Sequence, residues 1–146
     1  MPNLYVAGPV IDPHQEVPEV YRAVQDAAES RGWSSTLPVR DREVDGMGPR
    51  QFVRHVAGQI SQSAAVVAVI PPDDQNAPVE ATLAAAEQKP QLVVSHGAKR
   101  VPRLIEGLPG VMTVVDSHER DEVAGYVGKL IDSVDHTEPG PAAPAF

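Results

Sequence analysis

An α/β fold built on a parallel sheet follows from three features of the sequence. Short apolar runs alternate along the chain with segments whose apolar residues recur at helical spacing. The most apolar run, Ala65–Ile70, lacks polar alternation, which predicts a strand covered on both faces. Directly after it come an acidic loop, Pro71-Pro-Asp-Asp-Gln-Asn76, and an Ala-rich helical segment carrying Glu80. Strands that alternate with helices in this way form parallel sheets with right-handed crossovers.

Asn3 to Ala7 is an apolar run ended by Gly8-Pro9 and predicts the first strand. From Pro18 to Arg31, Val20, Tyr21, Val24, Ala27 and Ala28 fall on one helical face, with Pro18 suited to the start and Gly32 to the stop. Trp33 to Leu37 predicts a weaker second strand. Pro38 to Gly48, with Arg40-Asp-Arg-Glu43, is a charged loop of a length that often serves function. Pro49 to Ser63 is a helix with Phe52, Val53, Val56 and Ile60 on one face, and Ala65 to Ile70 is the third strand. Pro71 to Asn76 is a loop, Ala77 to Gln88 a helix, and Gln91 to Ser95 a fourth buried strand. Pro102 to Gly107 holds one or two helical turns, and Val111 to Val115 is the fifth strand. Arg120 to Val134 is the last helix, with Val123, Tyr126, Val127, Leu130 and Ile131 inward. Residues 1–135 are expected to form one domain, and the Pro-rich tail 136–146 to be disordered. Five such strands suit a flavodoxin-like order, 2-1-3-4-5, with helices on both faces. The crevice then opens beside the ends of the first and third strands, so Gly8-Pro9 and Pro71 to Asp74 are expected to meet.

Hydrophobic residues make up 42% of the 146, enough for a core, but aromatics are only 4%, so Val, Leu, Ile and Ala must fill it. The chain has no cysteine, which excludes disulfides and thiolate metal sites and suits the cytoplasm. A net charge of −8 argues against binding a nucleic acid polymer. No apolar run is long enough for a membrane span, and the opening residues read as a strand rather than a secretory leader. The five histidines, His14, His55, His96, His118 and His136, lack metal-ligand spacing and read as surface or helix-end residues. Phosphate-binding glycine loops and the Gly-x-Ser-x-Gly elbow are absent.

Glu80 carries the chemical reading. Pro78 near the start of its helix places Glu80 in the first turn, where the helix dipole favours the ionised form. A positioned carboxylate can attack a sugar carbon whose transition state resembles an oxocarbenium ion. Acidic first-turn residues also occur for dipole reasons alone, so position by itself leaves a structural role open. Asp73 and Asp74 can hold a ribose hydroxyl or exchange a proton with a base, or form a solvated turn with Asn76. Tyr5 can orient a carboxylate or fill the core, and Gly8 allows close approach of a ligand. Asp12 can reach a ligand or cap a helix. Lys99-Arg100-Val-Pro-Arg103, the one basic cluster, can neutralise a phosphate or face water. An Asp pair without further ligands does not make a Mg²⁺ site, so no metal is expected.

In this order of elements the chain resembles the nucleoside 2-deoxyribosyltransferase family, which includes the deoxynucleoside 5′-monophosphate N-glycosidases. The resemblance runs from Leu4-Tyr-Val-Ala-Gly-Pro9 to the last helix. It includes Ser61-Gln-Ser-Ala-Ala-Val-Val-Ala-Val-Ile70, Gln88-Lys-Pro90 and Arg103-Leu-Ile-Glu-Gly-Leu-Pro-Gly-Val111. Asp74 and Glu80 stand at the spacing of the family's base-contacting Asp and nucleophilic Glu. The chain is divergent. Val56 and Ala64 stand where the family has Asp, Asn76-Ala-Pro78 replaces a Gly-rich approach, and Thr82 replaces a Gly. Pro9-Val-Ile11 replaces the phosphate-binding Ser-Ile-Arg of the monophosphate glycosidases, which favours a nucleoside or an altered substrate.

The resemblance implies cleavage or transfer at the N-glycosidic bond of a nucleoside or nucleotide, without a cofactor. Glu80 would attack C1′, Asp74 would help protonate the departing base and Tyr5 would hold Glu80 in line. Gly8, Pro9, Asp12, Asp73 and Asn76 would border the substrate. A homodimer or higher homo-oligomer is implied in the same way. The alternative is a non-catalytic nucleoside- or nucleotide-binding module on the same fold, motivated by Val56 and Ala64. An enzyme requires Tyr5, Asp74 and Glu80 to converge on one pocket; a binding module does not.

Overall fold

The structure, a computed structural model, describes residues 1–96 and 100–136. Five strands, β1 (Asn3–Ala7), β2 (Ser34–Thr36), β3 (Ala65–Ile70), β4 (Gln91–Ser95) and β5 (Val111–Asp116), form one parallel sheet in the order β2-β1-β3-β4-β5. This is the expected flavodoxin-like arrangement. The helices are α1 (Glu19–Glu29), α2 (Arg42–Asp45), α3 (Pro49–Gln62), α4 (Asn76–Ala86), α5 (Arg103–Glu106) and α6 (Arg120–Asp135).

The side-chain alternation of a strand sends its residues to two cores. Leu4, Val6, Ala65, Val67 and Val69 pack beneath α1 and α6, against Val24, Ala28, Val127 and Leu130. Tyr5, Ala7, Val66, Ala68 and Ile70 face the opposite side, against Val56 and Ile60 of α3 and Ala77, Ala81 and Ala84 of α4. All six β3 residues are buried, which explains why that run carries no polar alternation. The small alanines of α4 let its axis lie close to the sheet, and Gln91 Nε2 locks the helix by donating to the Ala81 carbonyl at 3.0 Å.

Several boundaries differ from expectation for identifiable reasons. The second strand spans only Ser34–Thr36 and pairs through Asn3, whose Nδ2 donates to Thr36 Oγ1 at 3.0 Å. The charged loop from Pro38 contains the short helix α2, started by Asp41, whose Oδ1 accepts the Glu43 amide at 3.0 Å. Helix α4 begins at Asn76, before the expected Ala77, because Asp74 Oδ1 accepts the Asn76 amide at 2.9 Å. Pro78 is therefore its third residue, still among the positions whose amides have no partner within the helix. Asp12 caps no helix, since α1 starts after Pro18. Arg100 and Arg103 of the basic cluster face solvent, whereas Lys99 and residues 137–146 of the tail lie outside the described residues.

Only Val56 and Ile60 of α3 are buried, so these two side chains moor a helix that also borders the candidate site. Ile60→Ala should cost about 2–4 kcal/mol through the cavity it leaves. Urea denaturation should show this as a lower midpoint with an unchanged slope.

Candidate functional site

β1 and β3 lie side by side in register, Ala7 opposite Ala68, and their connections leave in opposite directions across the sheet. A cavity of about 420 Å³ opens at this divergence. Tyr5, Gly8 and Pro9 enter it from β1 and its turn, and Asp74, Asn76 and Glu80 from the β3–α4 connection. Thr36 to Asp41, with Val44 and Asp45, form a third wall. Phe52, His55, Val56 and Gln59 of α3 form the fourth.

Two backbone hydrogen bonds hold the walls together. Ile11 N donates to the Pro38 carbonyl at 2.8 Å, and Arg40 N donates to the Ile11 carbonyl at 2.8 Å. Arg40 Nη1 also pairs with Asp12 Oδ1 at 3.2 Å. The Gly8-Pro9 turn has its own tether: the buried Tyr21 hydroxyl donates to the Pro9 carbonyl at 2.7 Å. A Cβ at position 8 would collide with that hydroxyl, so glycine is required there by packing.

Glu80 is the fifth residue of α4 and so lies beyond the first turn, contrary to the sequence expectation. The dipole argument for an ionised Glu80 therefore fails. Burial, and next the charge of Asp74, raise its carboxyl from the ordinary 4.5 to about 7. One oxygen of each carboxylate, Glu80 Oε2 and Asp74 Oδ2, is buried without a hydrogen-bond partner among the described residues. Asp74 Oδ1 is spent on the start of α4. Tyr5 makes no hydrogen bond to Glu80; its hydroxyl is raised by burial and then by the Glu80 charge, and so remains a proton donor at neutral pH. Tyr21 is raised in the same way, by burial, then Asp74, then Glu80.

The cavity thus brings together Tyr5, Gly8, Pro9, Asp74, Asn76 and Glu80. Asp12 and Asp73 are exposed and outside its lining, although Asp12 holds Arg40, which is in it. Of the two divergent positions, Val56 borders the cavity, whereas Ala64 packs against the core beneath α1 and α6. His55, expected at the surface, is half-buried and lines the cavity with Gln59 one turn further along α3. Their i, i+4 spacing is the signal that could have found them. Asp41 and Asp45 were visible only as members of a charged loop. Tyr21 read as a core residue because its apolar spacing conceals its hydroxyl's task.

A second cavity of about 420 Å³ lies beyond the Gly8–Val10 turn, lined in part by Tyr21, Val69, His96 and His118, the two imidazoles 5.3 Å apart. Among the described residues no three His, Cys, Asp or Glu side chains are grouped to hold a metal ion. No described helix is long and apolar enough to cross a membrane.

No known family profile matches the chain, and no curated protein does. Among solved structures it is similar to a CMP N-glycosidase of Clostridium botulinum, BcmB, with a TM-score of 0.60. The two are 18% identical, over 88% of this chain and 97% of that one. At that identity the likeness establishes a shared fold.

The raised Glu80 carboxyl makes stability pH-dependent. Below pH 4.5 it is protonated in both folded and unfolded chains and contributes nothing. Between about pH 4.5 and 7 the folded chain holds the proton more tightly, so stability falls as pH rises, levelling off above 7. Glu80→Gln should remove this loss and stabilise the fold by about 1–3 kcal/mol at pH 8, with little effect at pH 4. Denaturant titration at the two pH values measures it. Tyr21→Phe, which removes the donor to Pro9, should cost about 1–2 kcal/mol in the same assay.

Proposed function

We propose that the chain cleaves or transfers at the N-glycosidic bond of a nucleoside or nucleotide, with Glu80 as nucleophile. The observation that carries this reading is the unpartnered, buried Glu80 Oε2, on a carboxylate that shares one cavity with Asp74 and Tyr5. Two orphaned acceptors are costly in an empty site and are satisfied by a ligand bearing hydroxyl or N–H donors. A sugar joined to a base offers both. The fold shared with a CMP N-glycosidase and the sequence resemblance described above support the same chemistry.

Ionised Glu80 attacks C1′ while the C1′–N bond breaks, its electron pair passing to the base nitrogen. The departing base takes up a proton. Burial, and next the charge of Asp74, raise the proton affinity of Glu80 itself. Asp74 lines the same cavity, where its carboxyl can relay a proton from solvent to the base nitrogen as the bond breaks. Tyr5 contributes a donor beside the carboxylate being consumed. In the second step water or an acceptor base attacks C1′ and Glu80 is released. Water gives hydrolysis and a base gives transfer, the difference lying in which of them the closed site retains.

Incubation with a panel of nucleosides and 5′-monophosphates, with and without an acceptor base, tests this directly. Chromatography should detect free base, and Glu80→Ala should lower its release by about a thousandfold or more. The rate should fall about tenfold per pH unit on an acidic limb near pH 7, because attack requires the ionised carboxylate. No release, or release indifferent to the mutation, sinks the nucleophile and leaves a binding module.

A further inference from the structure

We infer that Asp41 and Asp45 are specificity determinants that make the site prefer an uncharged nucleoside to its 5′-monophosphate. The inference rests on the N-glycosidic reading above and names the charge class of its substrate.

Recognition of a phosphate relies on free cations or free helix amides. Three such devices at or beside this cavity are already occupied by the chain's own carboxylates. Arg40 is the only Lys or Arg in the described lining, and its guanidinium is paired with Asp12 at 3.2 Å. The Asn76 amide at the start of α4 is taken by Asp74 Oδ1 at 2.9 Å. The Glu43 amide at the start of α2 is taken by Asp41 Oδ1 at 3.0 Å. That last bond also fixes the Asp41 carboxylate on the cavity wall, where Asp45 joins it from α2.

Two buried acceptors on residues of this lining, Asp74 Oδ2 and Glu80 Oε2, are left without a partner. Sugar hydroxyls and base N–H groups complement these atoms. A phosphate dianion brings only further acceptors and meets two carboxylates on the wall. Because Asp41 and Asp45 are exposed, their repulsion acts through solvent and weakens as salt is added.

The test is calorimetric binding to the full chain carrying Glu80→Gln, which blocks turnover. The probes are cytidine, adenosine and their 2′-deoxy forms, each against its own 5′-monophosphate. At low salt the nucleoside of a matched pair should bind about tenfold more tightly. Adding Asp41→Asn and Asp45→Asn, which keep capping capacity, should shrink that gap to about threefold or less. Raising the salt should shrink it in the same direction. Asp12→Asn alone, which frees Arg40, should strengthen monophosphate binding several-fold. Equal or tighter binding of the monophosphate to the parent protein, or a gap untouched by the Asp41 and Asp45 substitutions, overturns the inference. Monophosphate preference together with Glu80-dependent base release in the unmodified chain overturns the specificity alone. Absence of binding by every probe together with absence of base release overturns the N-glycosidic reading as well.

Discussion

The pairing of β1 with β3 is the constraint on which the site depends. Leu4 to Ala7 lie against Ala65 to Ala68 in unbroken register, and β3 runs two residues further, to Ile70, before its chain leaves the sheet. One segment must turn toward α1 and the other toward α4, on opposite faces. Neither can fill the space between them, and the gap is the cavity. Side-chain alternation then decides its lining. Tyr5 points to the α3 and α4 side because Leu4 and Val6 are claimed by the other core. A one-residue slip in β1 would bury Tyr5 beneath α1 and remove it from the site altogether.

The turn after β1 shows how packing and polarity are reconciled near the site. Gly8 leaves room for the Tyr21 hydroxyl, and the hydroxyl in turn satisfies the carbonyl of Pro9. Proline has no amide to satisfy, so the short turn carries few unmet backbone groups. The Ile11, Pro38 and Arg40 backbone bonds repeat this logic where the first and second connections touch. Two of the connections that wall the cavity are thus tied to each other by backbone hydrogen bonds. Among the described residues three buried side-chain oxygens lack a hydrogen-bond partner, and two of them belong to Asp74 and Glu80. The third, Gln91 Oε1, lies outside the cavity lining, whereas Asp74 and Glu80 both belong to it.

Asp74 illustrates how one side chain links fold and chemistry. Its Oδ1 starts α4 by accepting the Asn76 amide, which fixes the helix register and hence the azimuth of Glu80. Its Oδ2 is buried without a hydrogen-bond partner, and its charge helps lift the Glu80 carboxyl to about 7. Starting α4 at Asn76 rather than nearer Pro78 moves Glu80 out of the dipole-dominated first turn and beneath the rim of the cavity. The proton affinity of Glu80 is thus set by burial and by its neighbour rather than by the helix end.

Much of the fold was legible in the sequence because the signals are local. The periodicity of α1 and α6, the unbroken apolar run of β3 and the Gly-Pro turn after β1 each follow from neighbours within a few residues. Strand order followed from the β–α alternation and the handedness of crossovers. The meeting of Gly8-Pro9 with the β3–α4 connection came from that topology alone. What the sequence could not decide rests on contacts between residues far apart in the chain. Arg40 is held by Asp12, Gly8 is kept small by Tyr21, and His55 and Gln59 turn inward because α3 settles on the sheet through Val56 and Ile60. The protonation of Glu80 belongs to the same class, since burial and charge proximity exist only once the chain has folded.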